Sequence, residues 1–76
     1  MNKDRRATIS DIQADIDELR QRISEVCDEE QEAHDNMPDY LQGGAPGQKM
    51  DDAIAAFVEA LDMLDSVDSS LDKASA

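Results

Sequence analysis

The three glycines and two prolines of this chain all fall between Met37 and Gly47, in the segment MPDYLQGGAPG. Everything on either side is free of the residues that break helices, so one loop divides two long uninterrupted stretches. The apolar residues of each stretch carry helical spacing. In the first, Ile9, Ile12, Ile16, Leu19, Ile23 and Val26 fall at intervals of 3, 4, 3, 4 and 3, a heptad stripe characteristic of helices and not of strands. Its neighbours Gln13, Asp15, Arg20 and Arg22 are polar, so the stripe is narrow, like a coiled-coil seam. It weakens at the next heptad positions, Glu30 and Ala33. In the second stretch Met50, Ile54, Phe57, Leu61 and Leu64 run at intervals of 4, 3, 4 and 3, and the stripe resumes at Leu71 after Asp68. A second row of mostly small residues, Ala53, Ala60, Val67 and Ala74, widens the apolar face.

These patterns predict an all-α fold, an antiparallel two-helix hairpin forming a single domain over residues 1–76. The expected parts are a helix over 3–36, a Pro/Gly connector over 37–45, a helix over 46–72 and a frayed tail over 73–76. Asn2 is placed to cap the first helix. Pro38 should take Met37 out of the helical region and open a single turn through Tyr40 and Leu41. That turn should cover the end of the helix pair, closed by a left-handed Gly43. Pro46 suits the first turn of the second helix, with Asp51 and Asp52 following where the dipole favours acids. The narrow first seam cannot cover the wide second face. The uncovered remainder implies self-association, most simply as a dimeric four-helix bundle, with Ala53, Phe57, Ala60, Leu64 and Val67 at the interface.

Charge narrows the function. Nineteen acids oppose seven bases, for a net charge of -12. Residues 1–22 are balanced, with five of each sign, whereas residues 23–76 hold fourteen acids and only Lys49 and Lys73. Such a surface repels phosphate, so direct nucleic-acid binding is not expected. One cysteine forms no internal disulfide. No apolar run approaches the roughly 18 residues of a membrane span, and the opening residues lack the pattern of a secretory leader. A cytoplasmic setting, with no membrane partner, is the expectation. So short a chain also buries too little core for a large enclosed active site.

The charges also oppose the first helix's dipole. Lys3, Arg5 and Arg6 sit at its positive end, and Asp28, Glu29, Glu30, Glu32 and Asp35 crowd its negative end, each placement costing roughly 0.3–1 kcal/mol when exposed. Antiparallel packing should bring the basic start beside Asp65, Asp68 and Asp72. It does not relieve the acidic end, which would meet Asp51 and Asp52 with only Lys49 at hand.

No catalytic constellation emerges. His34 has Glu30 four residues before it, but the Glu-x-x-His spacing of di-iron bundles needs Glu at position 31, where this chain has Gln31. His34 therefore reads as a solvated residue at a helix end. Cys27 lies one residue off the seam with no base placed to activate it, and reads as a small flanking hydrophobe. Neither Asp15-Ile16-Asp17 nor Asp35-Asn36-Met37-Pro38 continues as a calcium loop. No Gly-rich phosphate loop is present. The chain is expected to be non-enzymatic, with no metal and no cofactor.

The run Asp28-Glu29-Glu30-Gln31-Glu32-Ala33-His34-Asp35-Asn36-Met37-Pro38-Asp39-Tyr40-Leu41-Gln42, continued by Gly47-Gln48-Lys49-Met50-Asp51-Asp52-Ala53-Ile54, resembles a type of small acidic protein found in bacteriophages and bacterial mobile elements. The start, Met1-Asn2-Lys3 with Arg5-Arg6, is similar as well. In that type an aromatic residue stands at the position of His34, which implies no catalytic or metal role there. The resemblance implies a bacterial host cytoplasm and favours an inhibitor that occupies a basic surface of a host defence protein.

Three roles follow. The first is an acidic inhibitor or nucleic-acid mimic that binds a basic host protein through Asp28, Glu29, Glu32, Asp35, Asp39, Asp51 and Asp52, a cluster whose members at the end of the first helix oppose local stability and are not relieved by packing. The second is an oligomeric sponge for a signalling nucleotide at the Gly-rich connector. The third is a structural or assembly component that needs only its coiled-coil seam.

Overall fold

A computed structural model describes residues 1–76, and all of its regular structure is helical. Helix α1 spans Lys3–Asp35, the single turn α2 spans Asp39–Gln42 and helix α3 spans Ala45–Ser75. Together they form a long helix-turn-helix. The rod measures 58 × 15 × 11 Å, with a radius of gyration of 17.3 Å; a compact domain of this length would have about 11 Å.

Helix α1 starts where Asn2, extended at ψ 169°, accepts a hydrogen bond from the Arg5 amide at 2.8 Å. It ends at Asp35, one residue before the expected boundary, and the Asn36 amide donates to the Glu32 carbonyl at 3.0 Å. Helix α3 carries Pro46 in its first turn, where a missing N–H costs nothing. It continues through Ser75, so residues 73–75 are helical where the sequence suggested fraying.

The connector departs from expectation in two ways. Gly43 has φ -81°, and no glycine has a positive φ; Gly43 closes α2 by donating its amide to the Asp39 carbonyl at 3.3 Å. Tyr40 is 80% exposed and covers nothing. The residue that joins the elements is Gln42. Its side-chain amide donates to the carbonyls of Met37 at 2.9 Å and His34 at 3.1 Å, tying α2 to the end of α1, where the His34 carbonyl also accepts the Met37 amide at 3.1 Å. Gly47, one of only two buried residues, rests against the backbone of Gln42. A Cβ there would lie 2.0 Å from the Gln42 carbonyl oxygen.

The register is set by a ladder along one flank. Gln13 donates to Asp72 at 2.7 Å, Arg20 pairs with Asp65 at 2.8 Å, and His34 Nε2 stands 3.0 Å from Asp51. Gln13, Arg20, Cys27 and His34 are each seven residues apart on α1; Asp72, Asp65, Val58 and Asp51 match them on α3. Cys27 and Val58 occupy the one step without a polar link.

That choice of flank corrects the sequence reading of α1. Ile9, Ile16 and Ile23 turn toward α3, and Ile16, at 6% exposure, is the only buried large hydrophobe. The other half of the stripe does not: Ile12, Leu19 and Val26 are 42%, 44% and 46% exposed. Their expected places are taken by the Gln13, Arg20, Cys27 and His34 column. A 3-4 spacing is compatible with either neighbour of the isoleucine column, and the polar ladder decides between them.

The same register corrects the pairing of the basic start. Continued to the end of α3, it sets Ile9 level with Ala76. Residues 1–8 therefore extend past α3, all are exposed, and Lys3, Arg5 and Arg6 form no ion pair. Asp65 and Asp72 are met instead by Arg20 and Gln13.

Candidate functional site

The two flanks of the hairpin differ in chemistry. Arg20 is the centre of the polar one. One guanidinium nitrogen reaches Asp17 at 2.6 Å and another reaches Asp65 at 2.8 Å, while Nε is buried without a partner. Desolvation pulls its pKa down, but the hydrogen bond to Asp17 and the charges of Asp65, Asp17 and Asp68 outweigh it, and the guanidinium stands above its ordinary value. Arg20 is thus fixed as a cation between the helices.

His34 is not solvated, contrary to the sequence reading. Its side chain is 16% exposed, with Nε2 beside Asp51 and Nδ1 3.8 Å from Asp35. Neither ring nitrogen makes an aligned hydrogen bond, so these are close polar contacts. Cys27 is half-buried and free. No three His, Cys, Asp or Glu side chains converge as metal ligands, and no helix is long and apolar enough to cross a membrane.

The connector end carries the seven acids named from the sequence. Asp28, Glu29, Glu32 and Asp35 lie on the last two turns of α1, Asp39 opens α2, and Asp51 and Asp52 lie on the second turn of α3; all are exposed. His34 is the only basic group in ion-pair range of any of them, reaching Asp35 and Asp51. Two of the seven accept side-chain amides: Gln31 donates to Asp35 at 2.9 Å and Gln48 to Asp52 at 2.9 Å. Asp28 and Asp35, seven residues apart, share the flank of Asp51. Tyr40 projects from the same end.

The opposite flank is apolar. Ile12, Leu19 and Val26 run along α1, and Ala53, Ala60 and Val67 run along α3. Phe57 and Leu64 lie between, half-buried within the hairpin, while Ala53 and Ala60 are half-buried and Val67 is 45% exposed. An open groove of about 270 Å³ runs between the helices here, lined by Leu19, Arg22, Ile23, Val26 and Phe57. Ile12, Leu19 and Val26 were read as intramolecular seam, so sequence reasoning missed their part in this surface. Their seven-residue repeat was the available signal.

Compared with known proteins, the chain matches no family model, no curated protein and no solved structure.

Proposed function

We propose that the chain is a non-enzymatic interaction protein. In this reading two copies form a four-helix bundle, and the acidic connector end binds a basic surface of a host protein. The observation that carries the reading is the isolation of the connector acids. Asp28, Glu29, Glu32 and Asp39 have no cation in range, and those on α1 crowd a helix C-terminus, where the dipole disfavours them. Tyr40, 80% exposed among these acids, supplies an aromatic anchor of the type that dominates protein interfaces. The resemblance to small acidic phage proteins supports a bacterial setting and a defence protein as the partner. The same acids disfavour a nucleotide sponge at the connector, where an anionic ligand would meet Asp35, Asp39, Asp51 and Asp52 with Lys49 the one Lys or Arg at hand.

The test replaces Glu29, Glu32 and Asp35 together with Gln, Gln and Asn. The variant should be at least as stable as the parent and should lose its partner in a pull-down from bacterial lysate. Full retention of binding sinks the reading.

A further inference from the structure

The apolar flank is used by neither the hairpin's own ladder nor the acidic end. We infer that a second copy of the chain covers it, packed antiparallel about a two-fold axis crossing the rod at the level of Leu19 and Val67. Helix α1 then lies on the partner's α1, and α3 on the partner's α3. This rests on the self-association proposed above and adds the face and the direction.

The area fits one further copy. The hairpin exposes 5499 Å², whereas a globular monomer of 8.4 kDa exposes about 4600 Å². The excess, about 900 Å², is close to the roughly 800 Å² that each partner buries in a standard interface.

The sequence of the flank is close to palindromic, as an isologous contact requires. Rotation about Leu19 brings Leu19 onto the partner's Leu19 and Ile12 level with the partner's Val26. The register of the hairpin sets Leu19 against residue 66 of α3, so the same axis passes beside Val67. It brings Val67 within two residues, about 3 Å, of level with the partner's Val67, and Ala60 likewise with the partner's Ala74. The centres of two independent rows thus coincide to within one residue.

Charge selects the direction. Asp15 and Arg22 are exposed and seven residues apart, on the outer edge of the Leu19 row. The rotation brings Asp15 within one residue, about 1.5 Å along the axis, of level with the partner's Arg22, and the pair occurs twice. Arg5, in the same row as Ile12 and Leu19, comes level with the partner's Ala33, within about a turn of the partner's Glu30. The alternative two-fold, along the rod, sets both acidic connector ends side by side and repels. The antiparallel arrangement leaves Asp28, Asp35 and Asp51 free on the polar flank.

Two measurements test the inference. Light scattering of the full chain at micromolar concentration should return twice 8.4 kDa; a monomeric mass overturns both the inference and the self-association beneath it. In a Cys27→Ala background, oxidising a mixture of Ile12→Cys and Val26→Cys chains should give a mixed disulfide dimer. In the arrangement along the rod these positions stand about 21 Å apart and no bond forms. Asp15→Arg or Arg22→Asp alone should weaken the dimer at least tenfold, and the double variant should restore it. A dimer with neither the mixed disulfide nor the rescue overturns the direction alone, and the acidic-end reading, tested by partner capture, is untouched.

Discussion

Replacing Gly47 by alanine should destabilise the hairpin, although the same change in an ordinary helix stabilises it by up to about 1 kcal/mol. The added Cβ would lie 2.0 Å from the carbonyl oxygen of Gln42, 2.5 Å from its carbonyl carbon and 2.7 Å from its Cα. All three are backbone atoms, so no side chain can swing aside. Reaching ordinary contact at about 3.4 Å requires α2 and α3 to separate by about 1.4 Å. That movement carries Gln42 away from the carbonyls of Met37 and His34, which its amide meets at 2.9 and 3.1 Å. Overpacking costs about 1–3 kcal/mol and each lost hydrogen bond about 0.5–1.5 kcal/mol, so about 3 kcal/mol remains after the gain in helix propensity. For a domain of this size that lowers the melting temperature by roughly 15 °C. The assay is thermal and urea unfolding followed by circular dichroism at one fixed protein concentration, since the proposed self-association would shift the midpoint. Gly43→Ala is the control: its nearest atom would be 4.0 Å away, and stability should hold or rise slightly. If Gly47→Ala were as stable as the parent, the packing of α2 on α3 would not be the reason for glycine at 47.

Removing the Gln42 amide by Gln42→Ala should cost about 1–2 kcal/mol, two hydrogen bonds at the usual net value; Gln42→Glu should cost more, because a carboxylate cannot donate to the carbonyls, and unfolding midpoints report both. Ile16→Ala removes the only buried large hydrophobe and should destabilise by roughly 2–4 kcal/mol, read in the same melts. Arg20→Met should lower the melting temperature, because it leaves Asp17 and Asp65 without their shared cation in a chain of net charge -12; both acids are exposed, so the drop should be modest. Raising salt from about 50 to about 500 mM should tighten the dimer, since each copy carries -12, and weaken capture of a basic partner, with sedimentation and pull-down moving in opposite directions.

The hairpin and its loop were legible because breakers and heptads are local signals. Asn2, Pro38 and Pro46 each act on their immediate neighbours, and the structure places them at element boundaries. What the sequence concealed was a choice between two seams that share Ile9, Ile16 and Ile23. One adds Ile12, Leu19 and Val26; the other adds Gln13, Arg20, Cys27 and His34. Hydrophobicity alone favours the first. The second is chosen inside the chain because its polar members meet Asp72, Asp65 and Asp51 on α3, a complementarity visible only once the register between distant segments is known. The roles of Gln42 and Gly47 were hidden for the same reason, since each depends on how α2 seats against α1 and α3. The outcome fits the self-association proposed above. Directional polar links define one register within the chain and tolerate water at their edge. Apolar rows are costly to expose, and here Ile12, Leu19 and Val26 stay 42–46% exposed on a chain that buries one large hydrophobe. This hairpin turns the shared Ile9, Ile16 and Ile23 column inward and leaves Ile12, Leu19 and Val26 open on the flank opposite its ladder, and that flank is the one a second copy would close.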